Sequence, residues 1–160
     1  MTHGCRMLTS VMVGLALGTA PAAAEMPYTG EGPIMVSTGQ LTWRDAPSVA
    51  PGAKIAVIEG PLDRAVPFTF RLVLPANVKI APHTHPAYER VTVLSGTFHF
   101  AVGDTYDAGK TRALGPGSVA IMPPATPMFG FTKEETVIQL NGVGPWGLHY
   151  LNPADDPRKQ

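Results

Sequence analysis

The sequence predicts an all-β protein, built as an antiparallel sandwich or barrel, and three observations support this fold class. Short runs of alternating apolar and polar residues recur at intervals of about ten residues. The 17 prolines and 17 glycines exceed average usage and favour many turns. No stretch has the periodicity of a long amphipathic helix. A series of eight or more short strands is typical of sandwiches and barrels.

The first 24 residues have the layout of a cleavable secretory signal. Arg6 precedes an apolar run over residues 8–20, and the small residues Ala22 and Ala24 follow it. The run is shorter than the roughly 20 residues that a bilayer span requires, so it does not predict a permanent anchor. We therefore predict a signal peptide at residues 1–24, cleaved after Ala24. The protein would be exported to the periplasm or secreted, with no membrane association after cleavage.

The composition of the remaining chain excludes several function classes. Cleavage removes Arg6 from the 12 basic residues and leaves 11 against 12 acidic ones, a net charge near −1. This balance, without a basic stripe, gives no reason to expect nucleic acid as a partner. Cleavage also removes Cys5, the single cysteine. Disulfides, thiolate metal sites and cysteine nucleophiles are thereby excluded.

The rest of the chain divides into an irregular segment, a series of strands and a polar tail. Residues 25–53 are interrupted by four prolines and are predicted to be irregular, with a short strand or flap at 41–43. The predicted strands are 54–60, 68–75, 90–96, 97–103, 118–123, 128–132, 136–142 and 146–151. Residues 54–152 thus form one barrel domain, and residues 153–160 form a polar tail at the surface.

Two of these regions carry further structural signals. The stretch FTFRLVLP, residues 68–75, places four apolar residues on one face and Arg71 with two others on the opposite face. The strands 90–96 and 97–103 are expected to form a hairpin with a tight turn at Ser95 and Gly96. Six aromatic residues are predicted to be core or pocket wall: Trp43, Phe70, Phe98, Phe129, Phe131 and Trp146.

Candidate chemistry is concentrated in PHTHPAYE, residues 82–89. His83 and His85 are two positions apart, so in an extended chain they project from the same face, about 6.5 to 7 Å apart. Pro82 and Pro86 hold the local backbone away from a helix. Glu89 follows a short reversal and can return to the same point. Two neutral imidazoles and one carboxylate can bind one face of a divalent ion and leave positions for water or substrate.

The spacing of these residues resembles the first sequence motif of the cupin superfamily. The pattern His83-x-His85-x3-Glu89-x6-Gly96 matches both histidines, the glutamate and the closing glycine. The leading glycine of the family falls at Asn77, a residue type that also adopts positive φ. The resemblance implies a jelly-roll, or double-stranded β-helix, barrel in which the three side chains bind one divalent transition metal: Fe, Mn, Ni, Zn or Cu. It also implies a homodimer.

The second cupin motif is matched only in part. Gly117-x5-Pro123 fits, and the following turn has Ala125 where the family has glycine. The fourth ligand of the family, a histidine, falls at Met128, and a frequent asparagine falls at Thr132. A thioether is a soft ligand that suits Cu(I) and hardly suits Zn(II), Mn(II) or Fe(II). Either three ligands retain the metal with Met128 as an apolar wall, or the metal is lost; the intact first motif favours the former.

Two functions remain open at this point. The resemblance implies a metal-dependent enzyme that oxygenates, decarboxylates or isomerises a small organic molecule. The alternative is a periplasmic module that binds a small ligand without turning it over, either with a bound metal or without one. The sequence adds weaker candidates for the pocket, with Arg71 as a clamp for an acidic substrate; the others are His99, Gln139, Asn141 and His149. Ile138 and Leu140 alternate with Gln139 and Asn141, and the sequence does not decide which pair lines the cavity.

Overall fold

A computed structural model of the chain describes Met1 and residues 26–159. The predicted signal segment therefore lies outside the described residues, except for Met1. The strands are β1 (Arg44–Asp45), β2 (Lys54–Glu59), β3 (Pro67–Leu74), β4 (Lys79–Thr84), β5 (Glu89–Ser95), β6 (Phe98–Val102), β7 (Arg112–Leu114), β8 (Val119–Met122), β9 (Met128–Thr132), β10 (Thr136–Val143) and β11 (His149–Tyr150). The helical segments are 3₁₀ turns at Thr38–Gln40, Ala108–Lys110, Pro153–Asp155 and Pro157–Lys159. Within the described ranges no helix is long and apolar enough to cross a membrane.

The strands form two antiparallel sheets that enclose one apolar core. The first sheet has the order β1-β2-β3-β10-β5-β8, and the second has the order β11-β4-β9-β6-β7. Strand β3 shows why the sheets face each other: Phe68, Phe70, Leu72 and Leu74 are at most 3% exposed, and the residues between them are not buried. This alternation agrees with the prediction for residues 68–75. The prediction of an all-β jelly-roll barrel is confirmed.

The predicted hairpin at Ser95 and Gly96 is wrong. Strand β5 ends in the first sheet and β6 begins in the second, so the two residues between them carry the chain from one sheet to the other. Gly96 has a φ of +72°, and an added Cβ would lie 2.4 Å from the Glu135 carbonyl oxygen and 2.6 Å from Thr136 Oγ1. Glycine is therefore needed here for a close crossing and not for a hairpin turn. The alternating pattern alone does not reveal which strand a neighbour in sequence pairs with.

Other element boundaries also differ from the predictions. Strands β4 and β7 were not predicted: four consecutive residues of β4 are buried, so alternation is lost, and β7 has only three residues. Strand β1 lies at Arg44–Asp45 and not at 41–43, and β11 contains only two residues of the predicted strand 146–151.

Part of the predicted irregular segment closes one end of the core. Residues 46–53 form turns, and Val49 and Ala50 are at most 2% exposed. The Tyr150 hydroxyl lies 3.0 Å from the carbonyl oxygens of both Ser48 and Val49 and can donate to either. This contact joins the segment to β11 and thereby to the strand that carries the first histidine.

Candidate metal centre

Strands β4 and β5 bring the three predicted ligands into one buried site. His83 lies in β4, His85 follows the end of that strand, and Glu89 is the first residue of β5. Residues 86–88 reverse the chain between the two sheets, so Glu89 returns to the histidines. The three side chains belong to residues that are 4%, 2% and 4% exposed, in this order. Charged groups at such depth are costly unless they are paired, neutralised or bound to a metal.

Backbone carbonyls orient both imidazoles. His83 Nδ1 lies 2.7 Å from the Ala81 oxygen, and His85 Nδ1 lies 2.7 Å from the Gly147 oxygen. Since a carbonyl oxygen only accepts, each Nδ1 carries the hydrogen and donates it. The Nε2 atom of each neutral ring is then an unprotonated lone-pair donor, which is the form that binds a metal.

The His85 and Glu89 side chains face each other across the buried site. The His85 Nε2 atom lies 3.3 Å from Glu89 Oε1. An unprotonated nitrogen and an ionised carboxylate are both acceptors, and a proton or a cation between them would bind to both. Two atoms that each bind one ion at 2.0–2.2 Å, at angles from octahedral to tetrahedral, are separated by about 3.0 to 3.5 Å. The observed separation suits either occupant.

Burial sets the charges of the three groups. It lowers the pKa of His83 to about 4. It also lowers the pKa of His85 to about 3, with a smaller contribution from the neighbouring His83. Burial raises the pKa of Glu89 to about 7. At neutral pH both imidazoles are therefore uncharged, and the carboxyl is divided between its protonated and ionised forms.

Trp146 forms one wall of the site. Its ring stacks on His85, with the ring centroids 5.4 Å apart, and meets Phe70 edge-on at 4.7 Å. The indole N–H is oriented to Glu89 and partly opposes the rise in the pKa of that carboxyl. Its geometry nevertheless falls short of a hydrogen bond, and the buried Nε1 has no partner among residues 26–159. An acceptor at the centre of the site would satisfy it.

The cavity between these side chains is small. Its volume is about 30 Å³, enough for about one water molecule. The lining consists of the three polar residues and an apolar shell: Val49, Leu72, Ile80, Val91, Phe98, Phe100, Ile138, Leu140, Trp146 and Leu148. A metal ion fits such a volume, whereas an organic substrate does not fit beside it in this conformation.

The second motif supports the site structurally. Met128 is fully buried, pairs with His83 across β4 and β9, and belongs to the apolar core. Ala125 adopts a φ of +60° at the usual glycine position, and its N–H donates to the His85 carbonyl at 2.9 Å. In the first motif, Asn77 also has a φ of +60°, as expected for a residue at the position of that motif's leading glycine. The Thr132 hydroxyl donates to the Pro75 carbonyl at 2.6 Å and so fills a structural role.

The donor types fit a divalent transition metal, but a complete ligand set is not assembled. Within the described part of the chain, no group of three or more His, Cys, Asp or Glu side chains is arranged to hold a metal ion. His85 and Glu89 have suitable spacing, and the His83 ring lies beside His85 with its centroid 4.9 Å away. A metal bound by all three residues stays a prediction.

The weaker pocket candidates do not line the cavity. Ile138 and Leu140 point inwards, so strand alternation directs Gln139 and Asn141 to the outer face. Arg71 lies on that face, where its Nε donates to Gln139 Oε1 at 3.0 Å. His99 stacks on Phe131 outside the second sheet, with ring centroids 4.4 Å apart, and His149 is exposed. The prediction that these five residues belong to the pocket is therefore wrong for this cavity.

Sequence reasoning missed several cavity residues, among them Ile80 in the unpredicted strand β4. Val49 comes from the segment predicted to be irregular, and Leu148 comes from the loop before β11. The signal for Val49 was the apolar cluster of residues 46–53, which contains Ala46, Ala50 and Ala53. Trp146 was predicted to be core or pocket wall, and it lines the cavity.

Comparison with known proteins identifies the fold. No family model matches the chain, and no curated protein matches it in sequence. The polyketide cyclase RemF from Streptomyces resistomycificus is 16% identical over 80% of this chain and 92% of its own, with a TM-score of 0.64. An acetylacetone dioxygenase from Acinetobacter johnsonii is 14% identical over 82% and 85%, with a TM-score of 0.58. An RmlC-like cupin from Shewanella frigidimarina is 14% identical over 70% and 91%, with a TM-score of 0.55.

Proposed function

On this cupin fold, we propose that the chain binds one divalent transition metal through His83, His85 and Glu89 and acts on a small organic molecule. The observation that carries the proposal is the 3.3 Å separation of His85 Nε2 and Glu89 Oε1 inside a buried cavity. The similar structures include a dioxygenase and a polyketide cyclase, which supports a small organic substrate. The reaction would be of the oxygenase, decarboxylase or isomerase type.

Each residue has a definite part in this proposal. A bound ion would supply a Lewis acid with open positions for substrate or dioxygen. The carbonyls of Ala81 and Gly147 hold the imidazoles in the ligating tautomer. Glu89 would lose its proton when it binds the ion, and the buried Trp146 N–H would be available to an acceptor beside the carboxylate. The apolar shell limits the entry of water.

Elemental analysis of protein from metal-replete culture tests the proposal. We expect close to one ion per chain, and we expect His83→Ala combined with Glu89→Ala to remove it. His99→Ala is the matched control, because that histidine lies on the outer face. A protein with far less than one ion per chain that gains none on titration with Zn²⁺, Fe²⁺ or Mn²⁺ contradicts the proposal.

A variant at Met128 tests whether the site lacks a fourth ligand. Met128 lies opposite His83 in the strand pairing, so an imidazole at this position would start from the same face. We expect Met128→His to raise metal affinity, because a fourth protein ligand completes the four-coordinate set that retains an ion. Unchanged affinity in a folded variant would show that the position does not address the ion.

The second candidate is a periplasmic module that binds a small ligand without catalysis. The cavity of about 30 Å³ favours it over an enzyme, because an organic substrate does not fit beside an ion there. A module of this kind needs a ligand site but no open position on a metal. It would show stabilisation by a small ligand that survives His83→Ala together with Glu89→Ala. Loss of all ligand stabilisation in that double variant would exclude the metal-free form.

A further inference from the structure

A surface groove lies directly beside the candidate metal cavity. Its volume is about 380 Å³, and its lining shares three side chains with the cavity: Val49, Trp146 and Leu148. These side chains form the wall between the two spaces. Trp146 has a contact on both sides, since it stacks on His85 and also lines the groove.

The groove has the size of a small-molecule site, whereas the cavity does not. Small-molecule sites have volumes of roughly 300 to 1,000 Å³ and are mostly apolar, with a few polar groups that fix orientation. The apolar lining of the groove includes Ile55, Val57 and Leu62, in addition to the shared wall. A flat apolar body can therefore be buried here against the strand β2 side of the groove.

The charges around the groove favour an anion. Asp45 lines it and forms an exposed ion pair with Lys54, whose Nζ lies 3.0 Å from Asp45 Oδ1. Arg158 also lines it and is paired with Asp156 at 2.7 Å. Arg44 is exposed at the same groove and forms no ion pair within residues 26–159. One guanidinium is thus left for a carboxylate, which it can bind through two parallel hydrogen bonds.

We propose that this groove binds a small organic anion with a flat apolar body and one carboxylate, held by Arg44 and packed against Trp146. The claim that this anion is the substrate rests on the proposed metal function. The claim that the groove binds the anion does not, because none of the residues that line the groove is a predicted metal ligand. Val49, on the segment outside the two sheets, is the small side chain whose displacement would join the groove to the cavity.

Fluorescence of one tryptophan provides the test. The chain contains two tryptophans, so Trp43→Phe leaves Trp146 as the single reporter. EDTA-treated protein of this variant is titrated with benzoate and, in parallel, with benzyl alcohol, which keeps the ring and lacks the charge. We expect saturable quenching by benzoate at millimolar concentration, as its few atoms allow, and clearly weaker binding of the alcohol.

Three further variants locate the site. Arg44→Gln is expected to weaken benzoate binding by up to about fivefold, the upper end of the range for an exposed charge pair. Arg112→Gln on the second sheet should leave it unchanged. Val57→Phe fills the groove and should abolish binding. Absence of saturable quenching, equal binding of the alcohol, or binding unaffected by both Arg44→Gln and Val57→Phe overturns the inference. Because the protein is metal-free, these outcomes do not depend on whether the chain binds an ion.

Discussion

Metal affinity is expected to depend on pH through Glu89 and not through the two histidines. Burial raises the pKa of Glu89 to about 7 and lowers those of His83 and His85 to about 4 and about 3. A metal ion binds the ionised carboxylate and the neutral imidazoles. Between about pH 5 and 7, the ion therefore displaces the proton of Glu89 and almost none from the rings.

The number of displaced protons gives the magnitude. With a pKa of about 7 for Glu89, the apparent association constant at about pH 6 is about tenfold lower than at about pH 8. At about pH 5, the same value predicts about one proton released per ion. If the histidines kept their ordinary pKa of 6.5 and Glu89 its ordinary 4.5, about two protons would leave instead.

Titration calorimetry with Zn²⁺ measures this number directly. The metal-free protein is titrated in pairs of buffers that differ in ionisation enthalpy, so that the heat reports the protons released. Glu89→Gln is the informative variant: it should bind more weakly, and its affinity should no longer change between about pH 6 and 8. Release of about two protons per ion at about pH 5, or a tenfold pH effect that persists in Glu89→Gln, would refute the reasoning.

Four further variants have expected effects on stability. Without metal, Glu89 keeps its proton between pH 4.5 and about 7 in the folded state but loses it in the unfolded state. Its contribution to the free energy of unfolding therefore falls as pH rises through this window. Glu89→Gln should remove that fall in denaturant titrations. Gly96→Ala should cost about 3 to 5 kcal/mol of unfolding free energy, because positive φ adds to backbone overlap. Gly117 has a φ of +82°, but an added Cβ would meet open space, so Gly117→Ala should cost only about 1 to 2 kcal/mol of unfolding free energy. Tyr150→Phe should cost about 1 kcal/mol and speed amide exchange at Val49.

Strand prediction succeeded where one face of a strand is buried and the other is not. In β3 the residues from Phe68 to Leu74 alternate in burial, so the period of two is visible in the sequence. Strand β4 does not show that alternation, since residues 80–83 are all buried and include Pro82. The hairpin error at Gly96 has another cause: the pairing partners of β5 are β10 and β8, which are distant in sequence.

The candidate site was partly predictable because its polar residues are local. His83, His85 and Glu89 lie within one strand end and one reversal, so their spacing alone brings them together. The groups that orient them come from elsewhere in the chain: the Gly147 carbonyl binds His85, and Trp146 stacks on it. No local pattern encodes contacts over more than 60 positions. The choice of inward face on β10 likewise depended on packing between sheets.

The dimensions of the two spaces determine what an enzyme of the proposed kind would require. A cavity of about 30 Å³ accommodates an ion and little more, whereas the adjacent groove of about 380 Å³ accommodates an organic molecule. Catalysis at the ion requires that the two communicate through Val49 and Trp146, and communication implies that metal and anion alter each other's affinity by the same factor. A simple binding module requires no such coupling. Equal benzoate affinity with and without bound Zn²⁺ would therefore argue for two independent sites, and a shift in either direction would argue for one centre divided by a movable wall.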